Sequence, residues 1–173
     1  MGDDVRFICD TQYKSNSKIK VYSTIGHKPG KKAPEGLDMN TKAVSKRFLS
    51  VLHKFADLGW EPDTIYSHSG WGCGLYARTI FPKAKIIVFA EWWHTPNLLD
   101  PATGYSLKEG SDSIHQAALS TLRNTFQALE LLEASSIVTP THWQKSQYPA
   151  IIQQNISVIH EGVDSQFFSP MPA

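Results

Sequence analysis

An open, mainly parallel α/β sheet covered by helices on both faces is the fold class this chain predicts. Apolar strand-like runs alternate with amphipathic helical stretches along its length. No internal repeat or low-complexity segment interrupts the alternation. At 173 residues, with 41% hydrophobic and 19% charged residues, the composition is that of an ordinary globular protein and the length that of one domain. A folded chain of this size removes about 70% of its unfolded surface from water, enough for a substantial core.

The elements follow in order. "VRFIC", Val5 to Cys9, reads as a strand, and "KIKVYS", Lys18 to Ser23, as a second with alternating character. Thr24 to Asn40 is rich in Gly, Pro and Lys and is expected to be a mobile surface loop. Val44, Phe48, Val51, Leu52 and Phe55 then recur at helical spacing, with Asn40 or Thr41 as cap and Gly59 as terminator. "DTIYSH" reads as a buried strand, "CGLYARTIF" as a short helix stopped by Pro82, and "KIIVFAE" as a strongly apolar strand. Trp92 to Gly110 is loop-like, with prolines at 96 and 101. Ala118, Leu122, Phe126, Leu129 and Leu132 form the apolar stripe of the next helix, capped by Asp112 or Ser113. The strand "SSIVTP", a helical piece around "HWQKSQYP" and the strand "ISVIHEG" complete the series.

Composition excludes several function classes. A formal charge of +1 gives no global pull toward nucleic acid, so none is expected as a partner. The local basic run His27 to Lys32, with Lys18 and Lys20 nearby, reads either as a solvated loop or as a contact for phosphate or lipid headgroups. Cys9 and Cys73 form no CxxC pair, so neither a zinc site nor a disulfide framework is indicated and a reducing cytoplasm is expected. No apolar stretch approaches the roughly 20 residues of a membrane span, and the start "MGDDVRFICD" lacks a signal peptide's apolar centre.

In open parallel sheets the ligand site lies outside the carboxyl ends of the strands. Four places therefore matter: Ser67 to Gly74, Glu91 to Thr95, Thr139 to Trp143, and His160 to Asp164. In the first, "HSGWGCG" has Gly70, Gly72 and Gly74 after a strand and before a helix, whose free N–H groups favour an anion. The spacing fails the dinucleotide fingerprint, because Leu75 stands where the last glycine belongs, and no Walker loop is present. Ser69 is no nucleophile elbow either, since Ser67 and Trp71 occupy the positions that need glycine. A tight corner under Trp71 explains the glycines equally well. In the second place, "EWWHTP" sets Glu91, Trp92, Trp93 and His94 together, and aromatic faces beside a carboxylate and an imidazole suit a sugar. The same tryptophans could close the end of a core. Seven histidines include none at H-x-x-x-H or H-x-H spacing, so no metal is expected. Arg123 and Asn124 read as a surface or helix-packing pair.

Together, "PDTIYSHSGWGCGLYARTIFPKAKIIVFAEWW", "LRNTFQALELLEASSIVTPTHWQKSQYP" and "ISVIHEGVD" resemble the N-terminal domain of bacterial family 4 glycosyltransferases. The resemblance implies a Rossmann-like domain of a GT-B enzyme, in which two such domains face each other across a cleft. The N-terminal domain mainly holds the acceptor, the C-terminal one the nucleotide-sugar donor. Transfer, hexosyltransferase-like, retains anomeric configuration and needs no cofactor or bound metal. It also implies a place in polysaccharide or glycoconjugate assembly, with a saccharide or glycolipid acceptor and a peripheral membrane contact in relatives that use lipid-linked acceptors.

Carried onto this sequence, the resemblance puts His68, Ser69, Gly70, Trp71 and Gly72 on the acceptor cleft with Trp92, Trp93 and His94. It puts Glu91 in the catalytic position, where many relatives carry a histidine. Glu161, Gly162 and Asp164 fall at the interdomain hinge. The domain is then expected to occupy residues 1–164 and the linker to begin at 165–173, with the family's first strand and helix and its donor domain lacking. Such a chain is expected to fold without transferring sugar. A non-catalytic carbohydrate- or nucleotide-binding module is the alternative reading, with "EWWHTP" as its platform.

Overall fold

The computed structural model describes residues 3–9, 20–23, 39–95, 111–165, 167 and 168. The basic run His27 to Lys32, nearly all of the Thr24 to Asn40 loop and residues 96–110 lie outside them. The elements are β1 (Arg6–Cys9), β2 (Lys20–Ser23), α1 (Met39–Asp57), β3 (Thr64–His68), α2 (Ala77–Ile80), β4 (Lys85–Phe89), α3 (Ser111–Glu133), β5 (Ser136–Thr139), α4 (His142–Gln147), α5 (Ala150–Gln153) and β6 (Ile156–Val158). Every described strand pairing is parallel. The fold is the expected open, Rossmann-like α/β arrangement.

Its sheet differs from expectation in one respect. Strands β3 to β6 form a four-stranded sheet in sequence order, while β1 and β2 pair as a separate two-stranded one. An aromatic cluster links the two. The Arg6 guanidinium lies 4.3 Å from the Trp60 ring and 5.1 Å from that of Phe55, Tyr22 meets Phe55 edge-on at 4.7 Å, and Trp60 Nε1 donates to Asp4 at 3.2 Å. Asp4 just precedes β1 and Trp60 just precedes β3, so both strands start at the same end of the molecule. Between their facing edges lies a cavity of about 270 Å³, lined by Phe7, Ile8, Leu52, Phe55, Ile65 and Tyr66 among others.

Helix α1 forms as its periodicity predicts. Phe48, Val51, Leu52 and Phe55 are buried, and the helix ends in a Schellman turn: Trp60 N donates to Phe55 O, Gly59 N to Ala56 O, and Gly59 has φ +67°. Helix α3 departs from prediction. Leu122, Leu129 and Leu132 are exposed, the last by 77%, whereas Asn124, Gln127, Glu130 and Leu131 are buried. The inward face is polar because it meets loop backbone that needs hydrogen-bond partners. β3 was expected to be buried, yet Tyr66 is 63% exposed and only Ser67 is buried. The reason is position: among the described residues β3 pairs with β4 alone, at the edge of its sheet.

Candidate functional site

The register of β3 on β4 aligns His68 with Phe89. Glu91 lies two residues beyond Phe89, and side chains in extended backbone alternate with period two, so its carboxylate returns to the face that carries His68. The result is a pair: His68 Nε2 and Glu91 Oε2 are 2.8 Å apart. The other ring nitrogen, Nδ1, lies 2.7 Å from the Ser69 carbonyl oxygen. A neutral imidazole has one donor nitrogen and one acceptor, yet both of these nitrogens face oxygen acceptors. Both contacts are satisfied only when the pair holds an extra proton, on the ring or on the carboxyl. This partly exposed pair can therefore offer either charge or a proton to a bound hydroxyl.

Three bonds fix the main chain at Ala90 and Glu91. The β4–β5 ladder runs one residue further through Ala90 N to Val138 O, Thr139 Oγ1 donates to Ala90 O at 2.6 Å, and Gln144 Nε2 donates to Glu91 O at 3.1 Å. Gln144 is itself set by the start of α4, where the Thr141 hydroxyl caps the helix by accepting from Gln144 N. The loop then runs along α3. Gln127 Nε2 donates to Trp92 O, and Asn124 holds His94 at both its N–H (3.0 Å) and its carbonyl (2.7 Å). Trp92 and the half-exposed Trp143 stand with ring centres 5.6 Å apart at 49°. Trp93 faces the other way, packing on the core and meeting Tyr148 at 5.4 Å.

The glycine turn continues directly from His68. Ser69 N donates to Phe89 O, Gly70 and Gly72 take φ of +94° and +74°, and Trp71 projects outward, 58% exposed. The helix expected to open at this turn begins only at Ala77 and spans a single turn, Ala77–Ile80. The Gly70 and Gly74 amides are not left open to an outside anion. Instead Gly70 N and Gly74 N donate to the Glu130 carboxylate, at 3.2 and 2.8 Å. Comparison with known families now decides the relationship, because residues 1–168 match the model of the glycosyl transferase family 4 group. The chain belongs to this family. No curated protein matches it.

In this glycosyltransferase domain the expected site residues are distributed unevenly. His68, Ser69 and Glu91 come together, Trp92 stands beside them in sequence, and Gly70 to Gly72 form the adjoining turn. His94 is held through its main chain. Glu161, Gly162 and Asp164 follow β6 as an exposed segment with bonds of its own: Gly162, at φ +81°, donates from its N–H to His160 Nδ1, and Asp164 accepts from Phe167 N. Among the described residues no three His, Cys, Asp or Glu side chains are grouped to hold a metal, and no helix is long and apolar enough to cross a membrane.

Sequence reasoning read Asn124 only as a surface or helix-packing residue, passed over Gln127 and Glu130, and placed Trp143 in a strand-end segment without giving it a role. The first three recur every third residue along α3, a polar stripe whose regularity was a usable signal of a helix facing backbone. Gly74 also has a different role from its neighbours. A Cβ there would stand 2.5 Å from Ser67 Oγ and 3.0 Å from Ser67 Cβ, and Ser67 is buried. Gly74→Ala is accordingly expected to lower stability by about 1–3 kcal/mol through overpacking, read from the midpoint of urea unfolding. Stability equal to the parent's would mean that Ser67 moves aside freely.

Proposed function

We propose that this chain is the acceptor-side domain of a retaining GT-B glycosyltransferase that moves a sugar from a nucleotide-sugar donor to a saccharide or lipid-linked acceptor. On its own it binds acceptor without transfer. The observation that carries the reading is the His68–Glu91 pair at adjoining strand ends, followed by the Trp92–Trp143 ring pair. Sugars offer apolar C–H faces to aromatic rings and hydroxyls to charged groups, and the two kinds of group are neighbours here. A further argument favours acceptor over donor phosphate. The Gly70 and Gly74 amides, the obvious cradle for a phosphate, are already used by Glu130.

Glu91 is the group we assign to the reacting end, accepting from the acceptor hydroxyl with His68 as its charge partner. Fixed groups of this kind stabilise developing charge without reorganising, which is why they contribute strongly to catalysis. The site chemistry belongs on a cytoplasmic face, where nucleotide-sugars are available. Titration of ¹⁵N-labelled chain with a panel of oligosaccharides tests this. Shifts should concentrate at His68, Glu91, Trp92 and Trp143, and the isolated chain should release no nucleotide from a donor panel. Shifts confined to the segment after β6, or turnover by this chain alone, would overturn the reading.

A further inference from the structure

Nothing in the chemistry of the acceptor pair requires a second carboxyl, yet one is buried beneath it. Glu130 is 3% exposed and lies in the stripe with Gln127 and Asn124. Its two oxygens take separate partners, Oε2 the Gly70 amide and Oε1 the Gly74 amide. It thus spans both ends of a turn that starts immediately after His68 and contains two glycines in left-handed conformation. We propose that Glu130 is a positioning residue, the resident anion of the glycine turn, and that its carboxylate holds the turn so that His68 faces Glu91.

The groups around it are few. His68 comes from the end of β3, with Glu91, two residues past β4, behind it; Tyr148, after α4, shares Gln127 with the layer through its hydroxyl. Burial pushes the Glu130 carboxyl up to about 7, against the Gly74 and Gly70 amides and a positive His68, which draw it back. Burial likewise raises the Tyr148 phenol, keeping it neutral across the working range. Glu130 therefore changes charge near neutrality. Ionised, it accepts strongly from both amides; protonated, the oxygen that carries the proton becomes a donor and a poor acceptor, and the two-point clamp is weakened.

The energetic sign makes a merely structural role a poor account. A carboxyl that titrates at about 7 in the fold and at 4.5 in the unfolded chain keeps its proton in the native state after the unfolded state has released it. Its contribution to stability is complete below 4.5 and is lost as pH rises through about 7. The ionised clamp is the less stable form. A glutamine, as at position 127, would avoid that loss, so the carboxylate is retained at a cost in stability, the pattern expected of a functional group.

The proposal depends on the acceptor-site reading only for its consequence at His68 and Glu91; the clamp is measured without substrate. In ¹⁵N spectra of the chain from pH 5 to 9, the Gly70 and Gly74 amides should shift together with a midpoint near 7. Glu130→Gln should abolish that shared transition and flatten the fall of the unfolding midpoint over the same range, while Glu130→Asp should keep a titrating transition. Glycine amides that do not titrate, or that titrate unchanged in Glu130→Gln, would overturn the clamp. In the presence of a saccharide that binds the parent, Glu130→Gln should weaken binding about tenfold at pH 8 and little at pH 5.5. A parent that binds no saccharide while its glycines titrate as described would remove the acceptor reading and leave the clamp intact.

Discussion

Glu91→Gln is expected to lower glycosyl transfer about 10²-fold in the enzyme that carries this domain, with no loss of fold. The change keeps the shape of the side chain and its reach to His68, 2.8 Å away, but removes the negative charge. The bond from Gln144 to the Glu91 carbonyl and those of Ala90 to the adjoining strand remain. Because the Glu91 side chain is 53% exposed and His68 39%, an ion pair in this position contributes little to stability. Thermal unfolding should therefore coincide with the parent's. Removing one preorganised group that stabilises developing charge typically costs about 10² to 10³ in turnover, and that is the effect to look for in kcat at saturating acceptor. His68→Gln should have a smaller effect alone and almost none added to Glu91→Gln, since each variant breaks the same His68–Glu91 contact. Activity within a few-fold of the parent would make Glu91 a scaffold residue.

The strands β4 and β5 were legible almost to the residue because they are apolar runs bounded by polar or turn residues, and α1 because its apolar positions repeat at helical spacing up to Gly59. What could not be read was which groups need backbone partners. Leucines at 122, 129 and 132 look like a buried stripe, and hydrophobicity alone would place them inward. The competing demand came from two loops whose N–H and C=O groups lie beside α3: Asn124 and Gln127 answer the one after β4, and Glu130 answers the glycine turn. β3 shows a related failure. An apolar run reads as buried, but burial depends on neighbours on both sides, and β3 has a described strand partner on one side only.

At the site, the strand-end rule put His68 and Glu91 on the same rim, and the β3–β4 register with period-two alternation is what brings the two side chains together. Pairing Trp92 with Trp93 ignored the same rule. Adjacent residues in extended backbone point to opposite sides, so one tryptophan of a pair at a strand end is committed to the core when the other lines a surface. Trp93 is the one committed, against Tyr148, and the partner of Trp92 comes from the first turn of α4 as Trp143. The glycine turn carried an anion signal that was correct in kind. Its amides do hold a carboxylate, but one supplied 56 residues further along the chain.

Phe55→Ala is expected to destabilise the fold by about 3–5 kcal/mol, and unevenly. Phe55 is 1% exposed and touches Tyr22 of β2, Arg6 of β1 and Trp60 before β3. It also borders the cavity of about 270 Å³ between β1 and β3, so the space vacated by its ring joins an existing void, a setting in which little collapse can offset the loss. Strands β1 and β2 have no ladder to β3 among the described residues, and this aromatic cluster is a principal contact holding them to the rest. By contrast β4 to β6 pack through Ile86, Val88, Ile137 and Ile156 in a cluster that does not include Phe55. Hydrogen exchange should therefore show the amides of 6–9 and 20–23 losing protection first, with those of β4 and β5 close to the parent's until global unfolding. Saccharide-dependent shifts at Glu91 and Trp143 should persist under conditions where β1 and β2 have opened, because those residues are positioned by α3, α4 and the β4–β5 ladder. Uniform loss of protection across both sheets would mean that the two are one cooperative unit, and that the aromatic cluster transmits stability across the cavity rather than merely closing it.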